Sequence, residues 1–471
     1  MIVVCCFAVP SSAPADDWPQ WRGPLRDGVW RENGVQERFP PGGLSVRWRT
    51  AIGSGFSGPA VAAGRVFVMD RSLDKSAPTD VKTEWNHRDK TKGLERVLCL
   101  DEATGRVLWE HKYACAYEAA YGSGPRATPT VVGDRVYTLG AMGDLFCFDS
   151  NTGRIVWQKS LVRDWHAEVP LYGFASAPLV DGDRLIVMGG GQGQAVVALN
   201  RHTGGEVWKA GSASEPGYCA PLIHAFAGRR QLVVWHGDGL AGLEPESGKP
   251  LWFVSHPVTA GIAISTPAIA DNRLAVSSQY EGVLMLEFKA GAVEPTVVWK
   301  ASAGTLPERQ WKKAGFNTTM STVLLRDGCV YGVSLYGETC CLNADTGERI
   351  WTTLQPTSGG KEPRERWSTL FMVPHGDKVF LWNDHGDLIL SRLTRAGYQE
   401  ISRSRLLEPD MLSAGSGGRK VAWSHPAFAN RCVCARNDHE IVCVSLAATP
   451  GSADAPRKAL AFDVKLDVVR Q

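Results

Sequence analysis

The sequence has no run of about 18 apolar residues, so a membrane-spanning helix is not expected. It has almost no charge imbalance: 51 Lys and Arg stand against 49 Asp and Glu, a formal net charge of +2. The basic residues are scattered, which argues against a nucleic-acid stripe, and no acidic tail is visible. There is no His-Glu-x-x-His motif and no Ser-His-Asp order. Gly189 to Gly193 follows a strand-like run but leads into another strand, so it reads as a hairpin turn and not a nucleotide loop. No Leu-x-x-Cys lipobox is present, so no lipid anchor is expected. Met1 to Val9 is apolar and Ala13-Pro14-Ala15 offers a cleavage site, yet no Lys or Arg precedes Arg22. Residues 1–15 therefore read as a signal peptide without its positive start, and the protein as periplasmic or secreted. The alternative is a cytosolic chain with an incidental apolar start.

What the sequence does have is Gly, 50 of them, and Trp, 17 of them. Both follow from a repeat. Residues 127–157 hold three runs of period-two alternation separated by Gly133-Asp134 and Gly143-Asp144. Asn151-Thr152-Gly153 closes a third turn, and Trp157 lies on a fourth short strand. The unit is a four-stranded antiparallel meander, which cannot bury both faces alone. Its ending recurs as Asp101…Gly105…Trp109, Asp149…Gly153…Trp157, Asn200…Gly204…Trp208 and Asn343…Gly347…Trp351. Glu244…Gly248…Trp252 is a near copy. Two endings are degraded, with Gly291 before Trp299 and Gly397 before Ile401. Asp or Asn bonds the turn backbone and Gly supplies positive φ. The Trp then fills the gap between neighbouring sheets. Trp48, Trp109, Trp157, Trp208, Trp252, Trp299 and Trp351 are the expected docking residues.

The starts recur as well. Pro59, Pro129, Pro178, Pro221, Pro267 and Pro426 each open a first strand, where Pro is tolerated. Ser321-Thr322-Val323 and Ser368-Thr369-Leu370 take the same place. Eight starts at intervals of about 40 to 70 residues lie in the propeller range. The last unit has no Trp strand of its own, and residues 44–52 form one with no unit before it. They are expected to close the ring as the fourth strand of the last blade.

The repeated Asp-x-x-Thr-Gly-x-x-x-Trp ending resembles the quinoprotein-type (PQQ-like) eight-bladed β-propeller repeat family, in the BamB-like and quinoprotein alcohol dehydrogenase-like superfamily. The resemblance covers residues 44–448 and implies an all-β, eight-bladed propeller of four-stranded antiparallel blades. Residues 16–43 are expected to be an irregular lead-in packed across the ring by Trp18 and Trp21. Residues 71–95 carry an insertion in the first blade. Residues 449–471 form a tail, in which Ala459 to Val469 could add an edge strand.

Of the 12 Cys, Cys99, Cys147, Cys341 and Cys443 hold equivalent third-strand positions in different blades. That spacing is too wide for disulfides, so they read as small buried hydrophobes. The links into the first strands carry the richest side chains. Arg126, Tyr172, Tyr218, Asn317, Trp367 and Trp423, with Phe56, Tyr121, Phe174 and His425, are expected to ring one mouth of the axial funnel. They suit a flat polar ligand or a peptide, or they simply plug the channel. His236-Gly237-Asp238 and Asp384-His385-Gly386-Asp387 read as turns.

The resemblance sets sharper demands for an enzyme. Quinone dehydrogenases of this type use a vicinal disulfide, a calcium held by Glu and Asn, and a catalytic Asp. Cys340-Cys341 is adjacent but sits in a third strand, and Glu118 and Asn317 lack calcium-loop spacing. No catalytic residue is singled out and no metal or cofactor is assigned. The reading is a monomeric, non-enzymatic propeller that binds a protein or other macromolecule on its funnel face. The alternatives are a PQQ- and calcium-dependent quinoprotein dehydrogenase and a carbohydrate or extracellular binding module.

Overall fold

In a computed structural model, the structure describes residues 16–73, 88, 90–301, 316–361, 365–412 and 419–448. The expected segments 1–15 and 459–469 lie outside them. Eight four-stranded antiparallel sheets follow one another around a ring. Blade 2 is typical, with strands Thr130–Val132, Arg135–Leu139, Asp144–Asp149 and Ile155–Ser160. First strands of the other blades begin at Ala60, Leu179, Leu222, Ala268, Leu324, Leu370 and Ala427. In the eighth blade the outer strand is Val46–Ala51, which pairs with Glu440–Ser445 and closes the ring. In blade 1 the hairpin is long: Arg65–Leu73 pairs with Gly93–Asp101 over its whole length. Among the described residues, no helix is long and apolar enough to cross a membrane.

Each core layer lies between two blades. Phe67 and Cys99 of blade 1, for example, meet Val136 and Phe148 of blade 2. The Trp docking has a fixed geometry. Each outer-strand Trp pairs with a third-strand residue immediately before a bulge, as in Cys99↔Trp109, Cys147↔Trp157, Ala198↔Trp208 and Cys341↔Trp351. The indole reaches the next blade. Trp48 donates to Glu102 O at 2.7 Å, Trp109 to Ser150 O at 3.0 Å, Trp157 to Arg201 O at 2.9 Å and Trp299 to Ala344 O at 2.8 Å. Trp351 donates to Thr394 O at 2.9 Å, whereas Trp252 turns to Gln231 of its own blade. The Trp208 indole nitrogen has no hydrogen-bond partner among the described residues. Trp48, Trp157, Trp208 and Trp252 are buried, while Trp109, Trp299 and Trp351 keep a partly exposed edge.

The turn Gly has a second role beyond its positive φ. A Cβ on Gly105 would lie 2.5 Å from the Trp48 ring, and one on Gly153 would lie 2.6 Å from Trp109. The same contact recurs between Gly204 and Trp157, Gly248 and Trp208, and Gly347 and Trp299. The motif is therefore read across blades: the Gly of one turn is the seat for the Trp of the preceding blade.

Blade 7 departs from the expectation. Its bulge places Ser402, not Ile401, where the Trp would stand. Phe39 from the lead-in takes up the space, its N–H on Ser402 Oγ at 2.9 Å and its ring stacked on Phe380 at 6.3 Å.

The lead-in crosses the ring. Trp18 pairs with Val61 of blade 1, and Pro19 O accepts from Val131 N–H of blade 2 at 2.8 Å. Arg26 donates to Pro178 O and Pro221 O of blades 3 and 4. Trp30 N–H donates to Pro374 O of blade 7 at 2.9 Å, and Gln36 N–H to Leu446 O of blade 8 at 2.8 Å. In a meander of this order, links and second-to-third turns share one face. First-to-second turns share the other, and Ala63 of such a turn donates its N–H to Asp17 at 3.0 Å. The lead-in thus caps one end of the axis and leaves the link face open.

Candidate functional site

The links converge on a cavity of about 260 Å³ at the axis, and every link from blade 1 to blade 8 contributes a wall residue. Trp21 forms its floor. Its indole donates to Thr266 Oγ1 at 2.8 Å and meets the His425 ring edge-on at 4.2 Å. Four aromatic rings then run along the wall from the links into blades 8, 2, 3 and 4. Trp423 lies 6.0 Å from Tyr121, Tyr121 6.0 Å from Tyr172, and Tyr172 5.5 Å from Tyr218. Tyr121 and Trp367 both hold positive φ, at 52° and 64°. Such backbone is uncommon for aromatics and serves here to aim the rings inward.

Of the expected mouth residues, Arg126, Tyr172, Tyr218, Trp367 and Trp423 line this cavity, as do Phe56, Tyr121 and His425. Asn317 does not: its amide donates to Gln279 O at 2.6 Å and it is buried behind the wall. Phe174 is also turned away, packed against Gly143 in the core between blades 2 and 3. Arg126 lines the cavity but its donors are largely committed. It donates to Ala120 O at 2.7 Å, Tyr121 O at 2.6 Å and Gly124 O at 2.8 Å, so it shapes its own link. The cation with free donors among the described lining residues is Arg366, which lies over the Trp367 ring at 4.6 Å. Arg366 was not expected from the sequence. Its signal was its place beside Trp367 in a link. Trp21, Thr319, Met320 and Tyr280 are further wall residues that the link positions did not reveal.

The electrostatics are one-sided. Two guanidiniums and no carboxylate stand among the described lining residues. Burial pushes the Tyr121 and Tyr218 phenols up and Tyr172 up to about 12, so all three stay protonated at neutral pH. Burial also lowers His425 to about 3, so its ring is neutral and shares a 2.9 Å hydrogen bond with Thr128 Oγ1. Three buried polar atoms of the wall lack partners among the described residues: Trp367 Nε1, Trp423 Nε1 and Thr319 Oγ1. Buried donors without acceptors are costly, and a ligand edge that supplies acceptors would remove the cost.

His425 gives a pH prediction with a definite sign. Its folded pKa of about 3 lies below its ordinary 6.5, so the unfolded chain binds a proton that the native state refuses. His256, lowered to about 4 by burial, acts in the same direction. Stability should fall as pH drops from 6.5 toward 4, by up to about 1.4 kcal/mol per unit for each ring. His425→Gln should remove about one proton's share of that slope in urea melts taken across the pH range. An unchanged slope would show that His425 does not titrate as buried.

The residues do not fit a quinone with calcium. Cys340 and Cys341 are free and buried on opposite faces of the strand Thr339–Asn343, one toward blade 5 and one toward blade 7. Glu118 pairs with Lys90 at 3.2 Å on the surface, and Asn317 is spent on Gln279. No described carboxylate reaches the cavity to hold calcium or to act as a base.

A family model described as outer membrane protein assembly factor BamB matches residues 93–353. No curated protein matches the chain in sequence. The fold is similar to that of BamB from Moraxella catarrhalis, with TM-score 0.55, 16% identity, and coverage of 85% of this chain and 99% of that one. It is also similar to quinohemoprotein alcohol dehydrogenase from Comamonas testosteroni, with TM-score 0.55, 11% identity, and coverage of 94% and 82%. A computationally designed protein, Ika8, matches with TM-score 0.51, 11% identity, and coverage of 85% and 99%. At these identities the likeness is one of fold. With its eight closed blades, its repeated Gly-seated Trp and the match over residues 93–353, the chain belongs to the PQQ-like propeller family of the outer membrane protein assembly factor BamB.

Proposed function

We propose that this protein is a binding propeller, not an enzyme, and that its funnel holds a small planar anion. The observation that carries the reading is the wall itself. Aromatic rings from four links line a space closed below by Trp21, and the donors at Trp367 and Trp423, unpartnered among the described residues, share its wall with Arg366. A flat ring would stack on the tyrosines, and a carboxylate edge would accept from the two indoles and the guanidinium. The missing carboxylate in the wall favours binding over proton transfer, since no described lining group is placed as a general base near neutral pH. The family description and the apolar start before Ala13-Pro14-Ala15 support a site of action beyond the cytoplasmic membrane.

The test uses 2-naphthoate and its neutral alcohol, 2-naphthylmethanol, followed by quenching of Trp fluorescence. The acid should bind and the alcohol should bind more weakly. Arg366→Ala should weaken the acid about tenfold and leave the alcohol unchanged, because one charge-assisted contact is worth about 1.4 kcal/mol or more. Its melting temperature should stay near that of the wild type, since Arg366 is exposed and makes no hydrogen bond with its side chain among the described residues. Equal loss for acid and alcohol, or no loss for either, would contradict the reading.

A further inference from the structure

Outside the cavity lining, three metal-ligating side chains meet on the open face of blade 7. Asp384 and His385 form the turn between strands Lys378–Asn383 and Asp387–Thr394. Glu365 lies in the link from blade 6, next to Arg366. One potential ligand atom from each residue lies within 4.8 Å of the other two. His385 Nε2 is 2.6 Å from Glu365 Oε2. Asp384 is fully buried. Its Oδ2 accepts from Thr369 N–H at 3.1 Å and from Arg419 Nη2 at 2.9 Å. Its Oδ1 is buried with no donor among the described residues. The turn is held from behind, because Asn383 Oδ1 accepts from the N–H groups of His385 at 3.2 Å and Asp387 at 2.9 Å.

A buried carboxylate oxygen with no partner among the described residues is an expensive arrangement. A cation between the three residues removes that cost. We propose that Glu365, Asp384 and His385 bind a divalent transition-metal ion of the zinc class. The donor set decides the class: one imidazole nitrogen with two carboxylate oxygens suits zinc and its neighbours, whereas calcium and magnesium take oxygen alone. The ion takes the place of the proton shared between His385 and Glu365, and it gives Asp384 Oδ1 a partner. Arg419 already pairs with both carboxylates, Asp384 at 2.9 Å and Glu365 at 3.8 Å, and competes with the ion for them, so the affinity is below that of a closed structural zinc site. Bound metal ties the link that carries Arg366 and Trp367 to the blade 7 turn. It therefore stiffens that part of the cavity rim, independently of what the funnel holds.

The experiment is calorimetric titration of the metal-free full chain with Zn2+, for wild type, Glu365→Gln, Asp384→Asn and His385→Asn. One equivalent should bind to wild type and raise its melting temperature. His385→Asn should lose that equivalent, and Glu365→Gln and Asp384→Asn should weaken it at least tenfold. Glu365→Gln is the safeguard against misfolding, because Glu365 is partly exposed on a link. Co2+ bound in place of Zn2+ should show an absorption spectrum without a thiolate charge-transfer band. Failure of wild type to bind, binding unchanged in His385→Asn and Glu365→Gln, or a thiolate band would each overturn the proposal.

Discussion

Trp157→Ala should lower stability by about 3–5 kcal/mol, the range for emptying a buried aromatic site. The indole is 8% exposed. It lies against Tyr137 of its own blade at 6.1 Å, donates to Arg201 O of blade 3 at 2.9 Å, and rests on Gly204. Its removal leaves a cavity between two blades that rigid sheets cannot collapse, and it leaves Arg201 O with the Tyr137 hydroxyl at 3.2 Å in place of two donors. The seat makes a sharper prediction. In the wild type, Gly204→Ala suffers twice, from φ of 71° and from a Cβ only 2.9 Å from the ring. In the Trp157→Ala background the ring is gone and only the φ penalty, about 1 kcal/mol, remains. The two changes should therefore be less than additive in urea melts. A loss below about 1 kcal/mol for Trp157→Ala, or strict additivity, would remove the docking argument.

Deletion of residues 1–52 should have the largest effect on the assembly of the ring. It removes the strand Val46–Ala51 and with it every outer-strand bond to Glu440–Ser445. It also removes Trp30, which is 1% exposed and packs on Phe380 and Phe428 at 5.5 and 5.3 Å. Blade 8 then presents an unpaired edge, and the preceding blade loses Phe39. Exposed flat edges recruit other chains. Light scattering after gel filtration should find larger oligomers or aggregate than the full chain gives. Deletion of residues 16–43 alone keeps the closing strand and should be milder, opening the floor but not the ring. A monomeric 1–52 deletion with an unchanged melt would place ring closure elsewhere.

The ring is legible in the sequence because its signals are local and repeated. Gly-Asp turns, Pro at first strands and the Gly…Trp ending each lie within a few residues of one another. The orphan strand around Trp48 and the incomplete last unit identified each other by elimination. Features that depend on contacts between blades could not be read that way. The Gly seat is one, since Gly105 and its Trp48 are far apart in sequence. Ser402 replaced Ile401 because a bulge shifts the register by one, and bulges leave little trace in composition. The funnel was half readable. Link position located Tyr172, Tyr218, Trp367 and Trp423, but link backbone decides where a side chain points. Asn317 turned to Gln279, Phe174 to the core, and Arg126 to its own carbonyls. The Glu365–Asp384–His385 cluster joins a link to a turn, and neither segment alone resembles a metal site.

The central claim is that the funnel is the binding site, and blocking it tests the claim most directly. Ala220 is 5% exposed and faces the cavity from the start of blade 4. Ala220→Trp should fill much of the 260 Å³ without touching Arg366. The measurement is saturation-transfer NMR with a panel of planar aromatic carboxylates, 2-naphthoate among them, on wild type and Ala220→Trp matched for melting temperature. Transfer to at least one carboxylate is expected in the wild type, and its loss in Ala220→Trp. Undiminished transfer in the filled variant would place the ligand elsewhere on the protein and contradict the account.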